Sequence, residues 1–221
     1  MKTVLVTGGS RGIGLAICNK FSASGYNVLS PSRDELDLLD NHSIDKFIYN
    51  NKGLNIDAII NNAGINPINL IEEIKDKDFD ETVQISLKAP YKLIQGFVQV
   101  MKQKHYGKIV NISSIWSVIS KPSRMTYSTV KSGLCGMTRE LAIELAPYNI
   151  LVNAVSPGYV NTELTVKNIP EEEAKKIKEN IPLKRFAETN EIADLVYFLA
   201  CENNTYITGQ NIVIDGGYSV Q

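Results

Sequence analysis

Tyr127 and Lys131, four residues apart, and Ser114 ahead of them are residue types that could move a proton at neutral pH. The run Met125 to Leu145 is rich in Ala, Leu, Met and Glu and reads as one helix. On such a helix a separation of four puts phenol and ammonium on the same face. A phenol with an ordinary pKa near ~10 is a poor acid-base group at pH 7, and a neighbouring cation favours its phenolate and lowers that value. Ser114 follows Lys108-Ile109-Val110-Asn111-Ile112, a run that reads as a strand, so its hydroxyl stands at a strand's C-terminal edge, where it can hold a carbonyl oxygen. Taken singly, the pair also reads as a solvated helix face and Ser113-Ser114 as a strand-end turn.

A second chemistry, phosphate binding, is written near the N-terminus. Val4-Leu5-Val6 lies in a β-branched-rich run, and apolar residues recur at helical spacing from Ile13 to Ser24. Between them stands Gly8-Gly9-Ser10-Arg11-Gly12-Ile13-Gly14. A strand that breaks sharply into a helix leaves the first helical amides unpartnered, at the positive end of the helix dipole, and a pyrophosphate suits that position. Glycines permit the turn and the close approach of phosphate oxygens. The spacing is Gly8-x-x-x-Gly12-x-Gly14, not G-x-G-x-x-G, and a Gly-rich turn alone is a weak signal.

Together, Thr7 to Gly14, Asn61-Asn62-Ala63-Gly64, Ser114, Tyr127-x-x-x-Lys131 and Pro157-Gly158 stand in an order and spacing that resembles the short-chain dehydrogenase/reductases. The resemblance covers nearly the whole chain and extends to Ile207-Thr208-Gly209-Gln210 and Val213-Ile214-Asp215-Gly216-Gly217, similar to that family's closing strand. The nearest group in appearance is the reductases of the 3-oxoacyl-acyl-carrier-protein type. The implied fold is α/β, a Rossmann-type doubly wound parallel sheet of seven strands forming a single domain over residues 1–221. One departure is visible: Ser32-Arg33-Asp34-Glu35 runs almost directly into Leu36-Asp37-Leu38, leaving no room for the usual helix between the second and third strands. That should leave the sheet edge near the adenosine pocket less covered.

The resemblance assigns roles residue by residue. Gly8, Ser10, Arg11, Gly12, Ile13 and Gly14 are expected at the dinucleotide phosphates, Asp37 and Leu38 at adenine, and Asn62, Ala63 and Gly64 near the ribose. Pro157, Gly158, Val160 and Thr162 are expected beside the nicotinamide, with Tyr127 and Lys131 also touching the cofactor. Ser32 takes the position at which an acidic residue would bind the ribose 2′-hydroxyl of NAD, and Arg33 follows it. With Arg11 these make a site for a 2′-phosphate, so NADP(H) is preferred and NAD(H) is the alternative. Arg33 solvated and Arg11 paired with a carboxylate such as Asp34 is the competing reading. Ser114 would polarise a ketone, Tyr127 donate the proton, and Lys131 lower the Tyr127 pKa and hold the ribose. Ser86 occupies the position of the family's asparagine, which supports a proton-relaying water.

Composition sets limits on partners. A net charge of −1 and a pI near 6.2 give no basic surface for nucleic acid. No apolar stretch is long enough for a membrane span and the chain starts directly on a strand, so a cytoplasmic protein is expected. Cys18, Cys135 and Cys201 are widely spaced, without a C-x-x-C pair, and read as small hydrophobes; no metal site is expected. Strands are predicted at 2–7, 26–30, 36–38, 56–61, 107–113, 149–155 and 210–214, and helices at 12–24, 41–50, 78–104, 125–146, 170–179 and 189–202.

Substrate identity is less legible. Ile115 to Ser120 and Glu163 to Arg185 should form the pocket wall and a mobile lid; Trp116 either stacks on substrate or packs at the rim. Arg124 reads as an exposed helix-start residue or as a ligand for a carboxylate or phosphate. His105 and Tyr148 stand where similar acyl-carrier reductases often carry arginine, which weakens a carrier-protein assignment. Three functions remain: an NADPH-dependent carbonyl reductase acting on a ketone or a 3-oxoacyl thioester, a dehydrogenase of a sugar or other small alcohol, and a non-catalytic nucleotide-binding regulator. The resemblance implies a homotetramer or homodimer.

Overall fold

The computed structural model describes residues 1–221 except Leu164, Val166, Lys167 and Asn168. Among the described residues six parallel strands form one sheet: β1 (Thr3–Val6), β2 (Asn27–Leu29), β3 (Ile56–Asn61), β4 (Gly107–Ile112), β5 (Ile150–Pro157) and β6 (Asn211–Ile214), in the order β2-β1-β3-β4-β5-β6. The helices are α1 (Gly12–Ala23), α2 (Asn41–Asn50), α3 (Asp76–Val83), α4 (Ala89–Lys104), α5 (Met125–Leu145), α6 (Glu171–Asn180) and α7 (Thr189–Ala200). Alternation along β1 sends Val4 and Val6 into one core, with α1 and α7, and Leu5 into the other, with α2, α4 and α5. The chain runs from β1 outward to β2 and then back to β3 on the other side. The strand order therefore reverses at β1/β3, and a crevice opens beyond their C-terminal ends.

Two expectations are corrected. The predicted strand at 36–38 is absent, so the sheet has six strands, not seven. The Glu35 carboxylate folds back on Ser32, accepting from the Ser32 amide at 2.8 Å and from its hydroxyl at 2.9 Å, while the Glu35 amide donates to the Ser32 carbonyl. The Leu36 amide then closes a helical turn on the Ser32 carbonyl, and Asp37 Oδ1 accepts from the Leu39 amide. Local side-chain bonds thus take up the backbone groups that a strand would need. With that strand missing β2 is the outer edge, and, in keeping with the expected thin cover of the sheet edge, an open groove of about 450 Å³ lies between the Asp34–Glu35 turn and α2.

The predicted helix at 78–104 is also divided. It begins at Asp76 and passes through a π-turn, Gln84–Lys88, in which the Ala89 amide reaches back five residues to the Gln84 carbonyl. Pro90 has no amide to return to the Ser86 carbonyl, so the regular ladder fails there.

Candidate active site

The glycine turn is built for close approach. Gly8 has φ +67°, and a Cβ on Gly14 would stand 2.1 Å from the Gly8 carbonyl oxygen. Arg11 caps α1 without any side-chain bond, so the first amides of the helix face the crevice without a competing partner from the cap. Buried Thr7, which sequence reasoning passed over, clamps the turn to the end of β3: its hydroxyl accepts from the Asn62 and Ala63 amides, each at 3.1 Å. Asn62 Nδ2 donates to the Thr7 and Gly8 carbonyls, so its side chain shapes the turn. Ser10 and Arg11 are exposed, while Gly12 and Ile13 are half-buried at the start of α1. A dinucleotide pyrophosphate fits this cradle.

At the end of β4, Ser113 and Ser114 are buried. The Ser114 hydroxyl accepts from the Trp116 amide at 3.3 Å, which leaves its own proton free to donate. On α5, Tyr127 is half-buried and Lys131 buried, with Lys131 Nζ 5.4 Å from the phenol ring centroid and donating to the Ile112 carbonyl at 2.7 Å. Ser113 Oγ in turn donates to the Lys131 carbonyl at 3.1 Å, pinning helix to strand end. A Cβ on Gly64 would stand 3.4 Å from both Lys131 Nζ and Ser86 Oγ, so these three positions converge on one small space. Ser86 Oγ is buried there without a protein partner. The structure thus brings Ser114, Tyr127, Lys131 and Ser86 together beside the glycine turn.

The electrostatics differ from expectation. Burial raises the Tyr127 pKa, opposed by the adjacent Ser114 hydroxyl and by Arg124, and Lys131 is not among the causes. Burial instead pushes Lys131 down to about 8. The ammonium expected to acidify the phenol is itself held close to losing its proton.

The adenosine end also differs in detail. Ser32 is engaged by Glu35, and Arg33, three-quarters exposed, lies with Nε 3.6 Å from Asp37 Oδ2. Two of the three groups expected at a 2′-phosphate, Ser32 and Arg33, therefore already face carboxylates; the S-x-x-E spacing was the available sign of the first. Asp37 and Leu38 are half-buried, and the Leu38 carbonyl accepts from Gln84 Nε2 at 3.1 Å. Beyond β5, Pro157 is buried, and a Cβ on Gly158 would stand 2.7 Å from Asp215 Cβ, so that glycine permits packing on the closing strand. Val160 belongs to the core, whereas Thr162 approaches the space beside Gly12. Within the expected lid, Leu164, Val166, Lys167 and Asn168 lie outside the described residues. Asn111 and Asn153 are structural hydrogen-bonders: Asn111 bonds Asn61 and Thr138, and Asn153 bonds the Ile207 carbonyl. Cys135 and Cys201 are buried, while Cys18 is only half-buried.

Two family models match the chain, one described as short chain dehydrogenase over residues 2–43 and one as enoyl-(acyl carrier protein) reductase over residues 35–219. The chain belongs to the short-chain dehydrogenase/reductase family. Among its relatives is the 3-oxoacyl-(acyl-carrier-protein) reductase of Aquifex aeolicus, 37% identical over 98% of this chain and 96% of the relative. The enzyme of the same name from Rickettsia typhi is 38% identical over the same shares. A solved structure from Beutenbergia cavernae, provisionally described as an NAD(P)-dependent gluconate 5-dehydrogenase with NADP bound, superposes with a TM-score of 0.94 at 29% identity, covering 100% of this chain and 97% of that one. A 4-hydroxyisoleucine dehydrogenase mutant complexed with NADH and succinate gives 0.93 at 28% identity, covering 100% and 99%. The protein is thus an oxidoreductase acting on hydroxyl or carbonyl groups. Among the described residues no helix is long and apolar enough to cross a membrane.

Proposed function

We propose that this protein is an NADP(H)-dependent carbonyl reductase that converts a ketone to a secondary alcohol. The observation that carries the reading is the convergence of Ser114, Tyr127 and Lys131 at the C-terminal end of β4, beside a turn shaped for a pyrophosphate. The dinucleotide, held by the Gly8–Gly14 turn, Ser32, Arg33, Asp37, Leu38, Asn62 to Gly64 and the Pro157–Thr162 loop, supplies hydride to the carbonyl carbon when bound. Ser114 donates a hydrogen bond to the carbonyl oxygen and fixes its position. Tyr127 gives that oxygen its proton as negative charge develops. Lys131, close to its own titration point, returns a proton to the phenol or favours its anion as the charge around it changes. The unpartnered Ser86 hydroxyl next to Lys131 takes the place of the family asparagine, with a water completing the path to the ammonium.

Arg11 and Arg33 favour NADP(H), and relatives that bear the name 3-oxoacyl-acyl-carrier-protein reductase favour a 3-oxoacyl thioester as substrate. A second reading, dehydrogenation of a sugar or other small alcohol with NAD(H), draws on the carboxylates already facing Ser32 and Arg33 and on the gluconate 5-dehydrogenase-like neighbour. The three-residue site stands in one domain, and exposed Tyr91 on α4 and Ile143 on α5 favour a homodimer or homotetramer. The test is consumption of NADPH and of NADH across an acyl thioester, simple ketones and keto-sugars. Reduction of a ketone that is lost in Tyr127→Phe supports the reading, and no turnover on the whole panel overturns it in favour of a nucleotide-binding regulator.

A further inference from the structure

Arg124 precedes α5 and is neither an exposed residue nor paired with a carboxylate. Its guanidinium lies 5.6 Å from the centroid of the Trp116 ring, its Nη1 donates to Asn66 Oδ1 at 3.1 Å, and its Nε is buried without a partner. Lys121 Nζ lies over the same indole, also 5.6 Å from its centroid. Among the described residues neither cation has a carboxylate within ion-pair distance. Burial lowers the Lys121 pKa, and Arg124 lowers it further, against a weaker opposing pull from the Glu173 carboxylate. The pair is held two residues from Ser114 by Trp116, which is buried and meets Tyr159 edge-on, and Arg124 is near enough to Tyr127 to favour its phenolate. Two neighbouring cations, one with a buried unused donor, cost free energy that an incoming anion would recover.

We propose that the substrate is an anionic ketone whose carboxylate or phosphate is held by Arg124 and Lys121 beside Trp116 while its carbonyl lies at Tyr127. This rests on the ketone-reducing reading and names its substrate class. The guanidinium fork suits two oxygens of either anion, so matched pairs of ketones separate the sources: levulinate against methyl levulinate for a carboxylate, dihydroxyacetone phosphate against dihydroxyacetone for a phosphate.

Trp116 is the chain's single tryptophan, so intrinsic emission reports this pocket directly. With NADP+ saturating, at least one anionic compound should change Trp116 emission saturably, and its neutral counterpart should not at equal concentration. The same anion should be favoured at least about tenfold in kcat/KM under NADPH. Because Arg124 also acts on Tyr127, Arg124→Gln will slow every substrate; the discriminating quantity is the anion-to-neutral ratio, which should fall toward one and be partly restored in Arg124→Lys. Ketone reduction without preference for charge, or an unchanged ratio in Arg124→Gln, overturns the anion site and leaves the reductase reading intact. A saturable Trp116 response with no reduction of any ketone does the reverse.

Discussion

Lys131→Met should stabilise the protein at neutral pH while abolishing catalysis. Lys131 is buried, and burial lowers its pKa from 10.5 to about 8. A folded-state pKa below the unfolded one means that stability is fully present above pH 10.5, falls as pH drops toward 8, and is at its lowest below that, where the amine is charged in both states. The displacement corresponds to about 3 kcal/mol of destabilisation at pH 7. Methionine matches lysine's unbranched shape and helix propensity but removes the hydrogen bond to the Ile112 carbonyl, 2.7 Å away in the native protein. Leaving that carbonyl unsatisfied costs about 1–2 kcal/mol at any pH. The variant should therefore be more stable than the parent by about 1–2 kcal/mol at pH 7 and less stable by a similar amount near pH 10.5. Urea unfolding of both proteins, without cofactor and at one protein concentration, measures the difference, and ionisations common to the two cancel. A variant less stable by the same amount at both pH values would refute the reasoning, since the ammonium would then be solvated or paired in the native state.

Three further outcomes follow from the site. Tyr127→Phe should lower kcat by about 10²–10⁴-fold, with dinucleotide binding unchanged in a fluorescence titration. Ser86→Asn should retain activity, because asparagine is the family residue at this position and its amide offers a second polar group; complete loss, measured as NADPH oxidation, would show a relay organised differently. Glu35→Gln removes the carboxylate that faces the Ser32 amide and hydroxyl, and should tighten NADPH about fivefold with little change for NADH. Equal effects on the two cofactors would place Glu35 away from the 2′ position.

Ser114, Tyr127 and Lys131 were legible from residue type and spacing because each element carrying them has a strong local signal: a β-branched run for β4 and a long helix-former run for α5. The depth of Lys131 was not, since it depends on β4 and the β3–α3 loop closing over α5. Leu36-Asp37-Leu38 alternates as a strand does, yet three residues cannot outweigh the Ser32–Glu35 turn before them and an Asx turn within them. The break at Ser86 had a sign in Pro90, hidden by the apolar periodicity on both sides. Arg124 looked exposed because helix-start arginines usually are; only the return of Trp116 from the β4 end encloses it.

The shortened connection between β2 and α2 concentrates the proposed adenosine end into residues 32–40 and ties it to the side of the molecule that carries Ser86 and Lys131. Asp37 is held by its own amide, which donates to the Ser43 hydroxyl at 3.0 Å, and by its carboxylate, which accepts from the Leu39 amide and faces Arg33. Next to it, Gln84 donates to both the Leu38 carbonyl and Asn41 Oδ1. Gln84 opens the π-turn that carries Ser86, and its own carbonyl accepts the bond that defines that turn. The same residue therefore anchors the Asp37–Leu38 segment by its side chain and shapes the Ser86 turn by its backbone. In a fold that kept a strand and helix after β2, those elements would brace the adenine segment from the sheet edge. Here the bracing comes from the helix that also carries Ser86, so the Asp37–Leu38 segment and the Ser86–Lys131 geometry share one support.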